Sequence, residues 1–66
     1  MKIILNGKET LINDGITIQE LLTEMKISPQ IVACELNLKI VKRNQYPSTT
    51  ISEGDQLEIL RMIGGG

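Results

Sequence analysis

The chain has 66 residues, with seven basic and eight acidic side chains and a formal net charge of -1. A domain this small buries only about 60% of the surface that its unfolded chain exposes, so its core is thin. One cysteine and no histidine exclude an internal disulfide and a Cys/His zinc site, and the balanced charge provides no attraction to nucleic acid or to anionic membranes.

The first predicted element is a β-hairpin. Residues 2–5 form a short apolar run, and Asn6-Gly7 follows it. These two residue types readily adopt the positive φ angles of a type I′ turn, so the chain is expected to fold back on itself. Residues 8–12 form the returning strand, and Asn13-Asp14-Gly15 ends it.

The next predicted element is an amphipathic helix. Thr17 is the expected N-cap, Glu20 completes a capping box, and Ile16 precedes the cap at the position of a hydrophobic staple. Apolar residues then repeat at helical spacing on one stripe, namely Ile18, Leu21, Leu22 and Met25. Because Pro29 disfavours a helical conformation at the preceding residue, we expect the helix to end near Lys26.

The second half of the chain contains short strands and turns. We predict a strand at 31–36, a turn at 37–39, a brief strand at 40–41, a loop or irregular short helix at 42–50, a turn at 53–55 and a last strand at 57–63. One helix covers only one face of a sheet. The order therefore predicts an α+β fold of the β-grasp type, a mixed four- to five-stranded sheet with one main helix packed on one face. In this fold the last strand commonly lies beside the first in parallel.

The last predicted strand has two different faces. Leu57, Ile59 and Ile63 alternate onto the face expected to meet the helix, and this places Leu60 and Met62 on the open face of the sheet. An apolar patch beside the chain end is typical of a partner docking surface. Alternatively, these two side chains are ordinary exposed aliphatics without a role.

The chain ends in Gly64-Gly65-Gly66, directly after this strand. Glycines cost more conformational entropy to order than other residues and bury no side chain, so stability does not explain them. We interpret residues 1–63 as one domain and 64–66 as a flexible tail that can thread a narrow channel into another protein's active site. The alternative is a frayed end.

Several segments together resemble the ThiS family, bacterial ubiquitin-like sulfur carriers of the β-grasp fold. The resemblance runs through Asn6-Gly7, Thr17-Ile18-Gln19-Glu20-Leu21-Leu22, Val32-Ala33-Cys34-Glu35-Leu36-Asn37, Ile40-Val41-Lys42-Arg43, Glu53-Gly54-Asp55-Gln56-Leu57-Glu58-Ile59 and the glycine tail. It covers the chain essentially from end to end. No single motif is specific, but their order, the length and the terminal glycines together are.

The resemblance implies a carrier of sulfur in thiamine biosynthesis and not an enzyme. In this family an E1-like enzyme of the ThiF type adenylates the C-terminal carboxylate, and sulfur from a persulfide donor then replaces the nucleotide. The resulting thiocarboxylate would sit on Gly66, while Gly64 and Gly65 would enter partner active sites. A thiazole synthase of the ThiG type would then accept the sulfur. No cofactor or metal is expected on the chain itself.

Other interpretations are compatible with the same sequence. The tail could serve molybdopterin synthesis, another sulfur-transfer route or conjugation to lysines, or the domain could be a non-covalent interaction module. Cys34 stands where relatives carry a small or β-branched core residue. It is therefore interpreted as a small buried hydrophobe, with a redox role as the alternative.

The predicted location is the cytoplasm. The N-terminal apolar run is interrupted by Asn6-Gly7, and it is far shorter than a secretory or membrane-spanning segment. A lone thiol also suits a reducing compartment.

Overall fold

The computed structural model describes residues 1–62; Ile63 and the glycine tail lie outside the described residues. The strands are β1 (Lys2–Leu5), β2 (Lys8–Leu11), β3 (Val32–Leu36), β4 (Lys39–Val41) and β5 (Gln56–Arg61). One α-helix, α1 (Ile18–Glu24), follows β2, and two 3-10 helices cover Pro29–Ile31 and Arg43–Ser48.

The strands of residues 1–62 form one five-stranded sheet in the order β2-β1-β5-β3-β4. β5 lies between β1, to which it is parallel, and β3, to which it is antiparallel. The two hairpins, β1–β2 and β3–β4, therefore flank the last strand on either side. This arrangement confirms the predicted mixed β-grasp sheet, including the parallel pairing of the first and last strands.

The predicted capping box starts α1. The Glu20 backbone N–H donates to Thr17 Oγ1 at 3.1 Å, and the Thr17 N–H donates to Glu20 Oε1 at 2.9 Å. The buried side of α1 then joins the sheet in one apolar core. Its members are Ile3, Ile16, Ile18, Leu21, Leu22, Val32, Cys34, Tyr46, Ile51, Leu57 and Ile59.

The helix is shorter than its apolar stripe suggests. It ends at Glu24, and Met25 is the C-cap with a side chain 42% exposed. The Ile27 N–H donates to the Leu22 carbonyl at 2.9 Å, and Lys26 lies at a φ of 60°. This is a Schellman ending, which satisfies free carbonyls of the last turn and reverses the chain before Pro29 is reached.

The segment before β3 also differs from the prediction. Ile31 was expected to open the strand, but it belongs to the 3-10 turn Pro29–Ile31 and is 41% exposed. Ser28 caps this turn by accepting a hydrogen bond from the Gln30 N–H at 3.3 Å. The sequence predicts either a loop or an irregular short helix at 42–50, and the structure has a 3-10 helix at Arg43–Ser48. Tyr46 within this helix is buried.

Two similar turns join the strands of the two hairpins. Asn6 and Gly7 have φ angles of 49° and 82°, which confirms the predicted turn geometry. Asn37 and Leu38 adopt nearly the same conformation, with φ angles of 52° and 70°. A leucine is disfavoured at a positive φ, and this side chain is 83% exposed, so it gains little from packing.

We expect Leu38→Gly to raise the free energy of unfolding by about 1 kcal/mol, because glycine adopts this conformation without steric cost. Urea unfolding of the variant and the parent protein measures the change. Leu38→Ala is the matched control, since it removes the same exposed side chain but keeps the Cβ that causes the strain. Equal stability of the glycine and alanine variants would contradict the explanation.

Candidate docking and carrier site

The candidate site is centred on β5. Leu57 and Ile59 point into the core with exposures of 0% and 9%, whereas Leu60 and Met62 are 50% and 49% exposed. The alternation predicted for this strand is confirmed for residues 57–60, whereas Arg61, which alternation also assigns to the core face, is exposed. Ile63, the last residue assigned to the core face, lies outside the described residues.

Asn6 holds β5 on the side of β1. Its backbone N–H donates to the Leu57 carbonyl at 2.9 Å. Its side chain accepts from the Ile59 N–H at 2.7 Å and donates to the Ile59 carbonyl at 3.3 Å. The amide thus takes the place of a strand residue where β1 has turned away. The sequence alone predicts only the turn role of Asn6.

Asn37 holds β5 on the side of β3. Its backbone N–H donates to the Gln56 carbonyl at 2.7 Å, and its side-chain oxygen accepts from the Gln56 N–H at 2.9 Å. Its side-chain nitrogen also donates to Asp55 at 3.1 Å. Each hairpin turn therefore contributes one asparagine to β5, and we refer to Asn6 and Asn37 as the asparagine clamp.

The described part of β5 remains paired close to its end. The Met62 N–H donates to the Ile31 carbonyl at 2.8 Å, so the chain is tied to the β3 side one residue beyond the strand. The predicted site residues Gly64, Gly65 and Gly66 follow in the sequence. They lie outside the described residues, and their assigned roles remain predictions.

The open face around Leu60 is partly apolar and partly acidic. Leu60 is paired with Ala33 of β3, and two positions along the ladder, on the same face, Glu58 lies opposite Glu35. Ile40 of β4 lies opposite Glu35 on its other side and is 77% exposed. The sequence predicts the exposure of Leu60 and Met62 but not this acidic pair, because the register between β3 and β5 cannot be obtained from periodicity.

Cys34 lies in the core and not in the candidate site. Its side chain is fully buried on β3, where its residue is paired with Ile59. Burial raises the pKa of the Cys34 thiol, and the hydrogen bond with Tyr46 only partly opposes this change. The thiol is therefore protonated at neutral pH, where it is a poor nucleophile. This favours the structural interpretation over a redox role.

The raised pKa of Tyr46 predicts that the folded protein loses stability at alkaline pH. Burial first, and then the hydrogen bond with Cys34, raises its pKa from 10.0 to about 12. The folded chain thus retains a proton that the unfolded chain releases. The stability that Tyr46 contributes through this proton is fully present below the pKa of the tyrosine in the unfolded chain. It is lost as the pH rises through the pKa of Tyr46 in the folded chain. The two-unit difference corresponds to about 2–3 kcal/mol.

We therefore expect the stability difference between the parent protein and Tyr46→Phe to shift by about 2 kcal/mol in favour of the variant from neutral pH to pH 12. Urea unfolding of both proteins over this range measures the shift. The comparison cancels the titration of the lysines, which both proteins share. A difference that does not change with pH would contradict the assignment.

Two further findings bear on the class of protein. Within residues 1–62, no helix has the length and hydropathy needed to cross a membrane. The same part of the chain holds no group of three or more histidine, cysteine, aspartate or glutamate side chains arranged to hold a metal ion.

The fold, the open sheet face beside the end of β5 and the glycine tail in the sequence define a small ubiquitin-like carrier of the β-grasp class. The family model described as the ThiS family matches residues 2–66. The chain belongs to the ThiS family, whose named members are sulfur carrier proteins and not enzymes.

Individual relatives agree with this assignment. The sulfur carrier protein ThiS of Bacillus subtilis is 35% identical over 63 residues, covering 94% of this chain and 96% of that protein. The crystal structure of the thiamine biosynthesis protein ThiS from Geobacter metallireducens is 32% identical and superimposes with a TM-score of 0.87 over 100% of both chains. A thiazole synthase of Paramagnetospirillum magneticum is 39% identical over 66 residues, but this chain spans only 20% of that protein.

Proposed function

We propose that this sulfur carrier works through a thiocarboxylate on Gly66 and delivers its sulfur to thiazole formation in thiamine biosynthesis. In this proposal residues 1–63 are the recognition domain, and Gly64 and Gly65 carry the reacting group into partner active sites. The proposed location is the cytoplasm, where the single thiol would remain reduced.

The observation that carries the proposal is the position of β5. It is the central strand of the sheet and is hydrogen-bonded to a neighbouring strand on each side. The asparagine clamp and the hydrogen bond from Met62 to Ile31 also fix β5, up to the residues that precede the tail in sequence. The tail would therefore leave from a well-anchored element at a defined place on the surface. Its glycines present no side chain to obstruct a narrow active-site channel.

The proposed chemistry needs partner enzymes. A carboxylate is a poor electrophile, because its negative charge repels nucleophiles. An E1-like enzyme of the ThiF type would transfer AMP from ATP to the Gly66 carboxylate, with release of pyrophosphate. A persulfide donor would then attack the acyl carbon and displace AMP. A thiol reductant would cleave the resulting acyl disulfide and leave the thiocarboxylate.

A thiazole synthase of the ThiG type is the proposed acceptor. The synthase of Paramagnetospirillum magneticum contains a region similar to this whole chain within a protein five times as long. Because a carrier-like region and a thiazole synthase are joined in that one polypeptide, the two proteins are expected to act together. It favours thiazole formation over the molybdopterin route.

Leu60 and Met62 are the proposed docking residues. Both are about half exposed, and alternation along β5 directs Leu60 away from the core face that holds Leu57 and Ile59. Covering them in a complex would remove apolar surface from water beside the point where the tail begins. Docking and delivery of the tail would then use the same end of β5.

The intact mass of the protein tests the proposal. The full chain is incubated with its E1-like enzyme, ATP and a sulfide source, because hydrosulfide displaces AMP directly and needs no reductant. We expect a mass gain equal to the exchange of one oxygen for sulfur, localised to Gly66 by fragmentation. An unchanged mass with an enzyme that is active on another carrier would overturn the proposed mechanism.

A further inference from the structure

The two residues of the asparagine clamp have different neighbours in the sequence. Of the four asparagines in the chain, only Asn6 is followed by glycine. Asparagine is a thermolabile residue, because the backbone nitrogen of the next residue can attack its side-chain amide carbon. Gly7 offers that nitrogen with no side chain beside it, whereas Leu38 crowds the same approach to Asn37. The clamp therefore contains one chemically labile residue and one protected residue.

The folded structure engages the labile amide of Asn6. Its oxygen accepts from the Ile59 N–H at 2.7 Å, and its nitrogen donates to the Ile59 carbonyl at 3.3 Å. The amide carbon has to come within bonding distance of the Gly7 nitrogen before it can react, so the side chain must first leave Ile59. Reaction in the folded protein therefore requires a local opening of the clamp.

We propose that Asn6 is a site of spontaneous deamidation that the folded clamp slows, and that its conversion releases β5 on the side of β1. The Gly7 nitrogen bonds to Asn6 Cγ, the bond from Cγ to the side-chain nitrogen breaks, and the Gly7 N–H proton leaves with that nitrogen as ammonia. Water then opens the succinimide ring at either carbonyl and leaves aspartate or isoaspartate at position 6. The reaction needs no co-reactant other than water, and the proposal is independent of the thiocarboxylate chemistry.

Neither product restores the hydrogen bonds to Ile59. An aspartate carboxylate accepts from the Ile59 N–H but has no hydrogen to donate to the Ile59 carbonyl, and its negative charge faces that oxygen. An isoaspartate adds one main-chain carbon to the two-residue turn, whose geometry sets the register of the β1–β2 hairpin. Each conversion therefore permanently weakens the hold of the Asn6 turn on β5.

Asn37 is the comparison within the same molecule. It adopts a φ of 52°, close to the 49° of Asn6, and its side-chain oxygen accepts from the Gln56 N–H at 2.9 Å. Leu38 follows it at a strained φ of 70°. Leu38→Gly relieves this strain but creates a second Asn-Gly pair. The variant should therefore be more stable than the parent protein and also deamidate faster at Asn37.

Peptide mapping by mass spectrometry tests the proposal on the full chain, folded or in guanidinium chloride, in mildly alkaline buffer. Exchange of the amide NH2 for OH is measured at each asparagine over time. In denaturant, Asn6 should convert much faster than Asn37, and Leu38→Gly should bring Asn37 to the rate of Asn6. In the folded protein, Asn6 should convert about thirtyfold more slowly than in denaturant, because two hydrogen bonds must open first.

The effect of conversion on the fold is measured with Asn6→Asp. Its melting temperature should fall by about 5 °C, because one hydrogen bond to Ile59 is lost and a charge faces the carbonyl. Asn44→Asp is the matched control, since it makes the same change at an exposed side chain and should melt like the parent protein.

Three results would each overturn the proposal. The first is equal conversion of Asn6 and Asn37 in denaturant, which would remove the special lability of the Asn-Gly pair. The second is conversion of Asn6 at the same rate in the folded protein and in denaturant, which would show that the clamp gives no protection. The third is an Asn6→Asp variant as stable as the parent protein, which would show that deamidation does not release β5.

Discussion

Removal of Gly65 and Gly66 should abolish sulfur loading completely and leave the fold intact. The reacting carboxylate of the shortened chain would lie two residues closer to the domain. About 7 Å of reach would be lost at the extension of an ordinary chain, and this displacement is far larger than an active site tolerates for a positioned reactant. The core cluster and the hydrogen bonds of β5 lie within residues 1–62, so the melting temperature should not change.

Intact mass and thermal unfolding of the shortened chain measure the two parts of this result. The shortened chain should also compete with the full chain for the adenylating enzyme, because the open sheet face is unchanged. This competition is the control that separates loss of chemistry from loss of docking. A bare interaction module predicts the opposite, namely that function survives without the glycines.

Asn6→Ala should have the largest effect on stability, a loss of about 3 kcal/mol. It removes both side-chain hydrogen bonds to Ile59 and leaves that backbone N–H and carbonyl without their partner. It also places a Cβ-bearing residue without a local hydrogen bond at a φ of 49°. Domains of this size have unfolding free energies of about 3–10 kcal/mol, so the variant should lose roughly a third or more of its stability.

Asn6→Gly is the matched control, because glycine removes the hydrogen bonds but accepts the turn conformation. We expect it to lose about 2 kcal/mol, and the difference between the two variants measures the strain of the turn. Urea unfolding supplies all three free energies. A glycine variant as stable as the parent protein would show that the Asn6 side chain contributes nothing to holding β5.

The features that the sequence predicted correctly depend on neighbouring residues. Thr17 and Glu20 are three residues apart, so their reciprocal hydrogen bonds need only one turn of helix. The Asn6-Gly7 turn and the two faces of β5 follow from similarly local rules, because side chains alternate along a strand. The assignment of Leu60 and Met62 to the open face belongs to this group.

The features that were missed depend on distant residues or on competing local signals. Asn6 and Ile59 are 53 positions apart, and no periodicity connects them. The pairing of Glu35 with Glu58 depends in the same way on the register between strands that are far apart in sequence. Ile31 has the composition of a strand residue, but the Ser28 cap and the following proline draw it into a 3-10 turn.

The central position of β5 has a mechanical consequence if the tail enters other enzymes as proposed. Tension on the tail would pull β5 along its own axis, between β1 and β3. The hydrogen bonds on both sides of β5 would then be loaded together, in shear. They would not break one after another, as they do when a strand is peeled from the edge of a sheet. The side-chain amides of Asn6 and Asn37 add fastening points at the two turns. A tail attached to an edge strand would have hydrogen bonds on only one side of that strand to resist the same force.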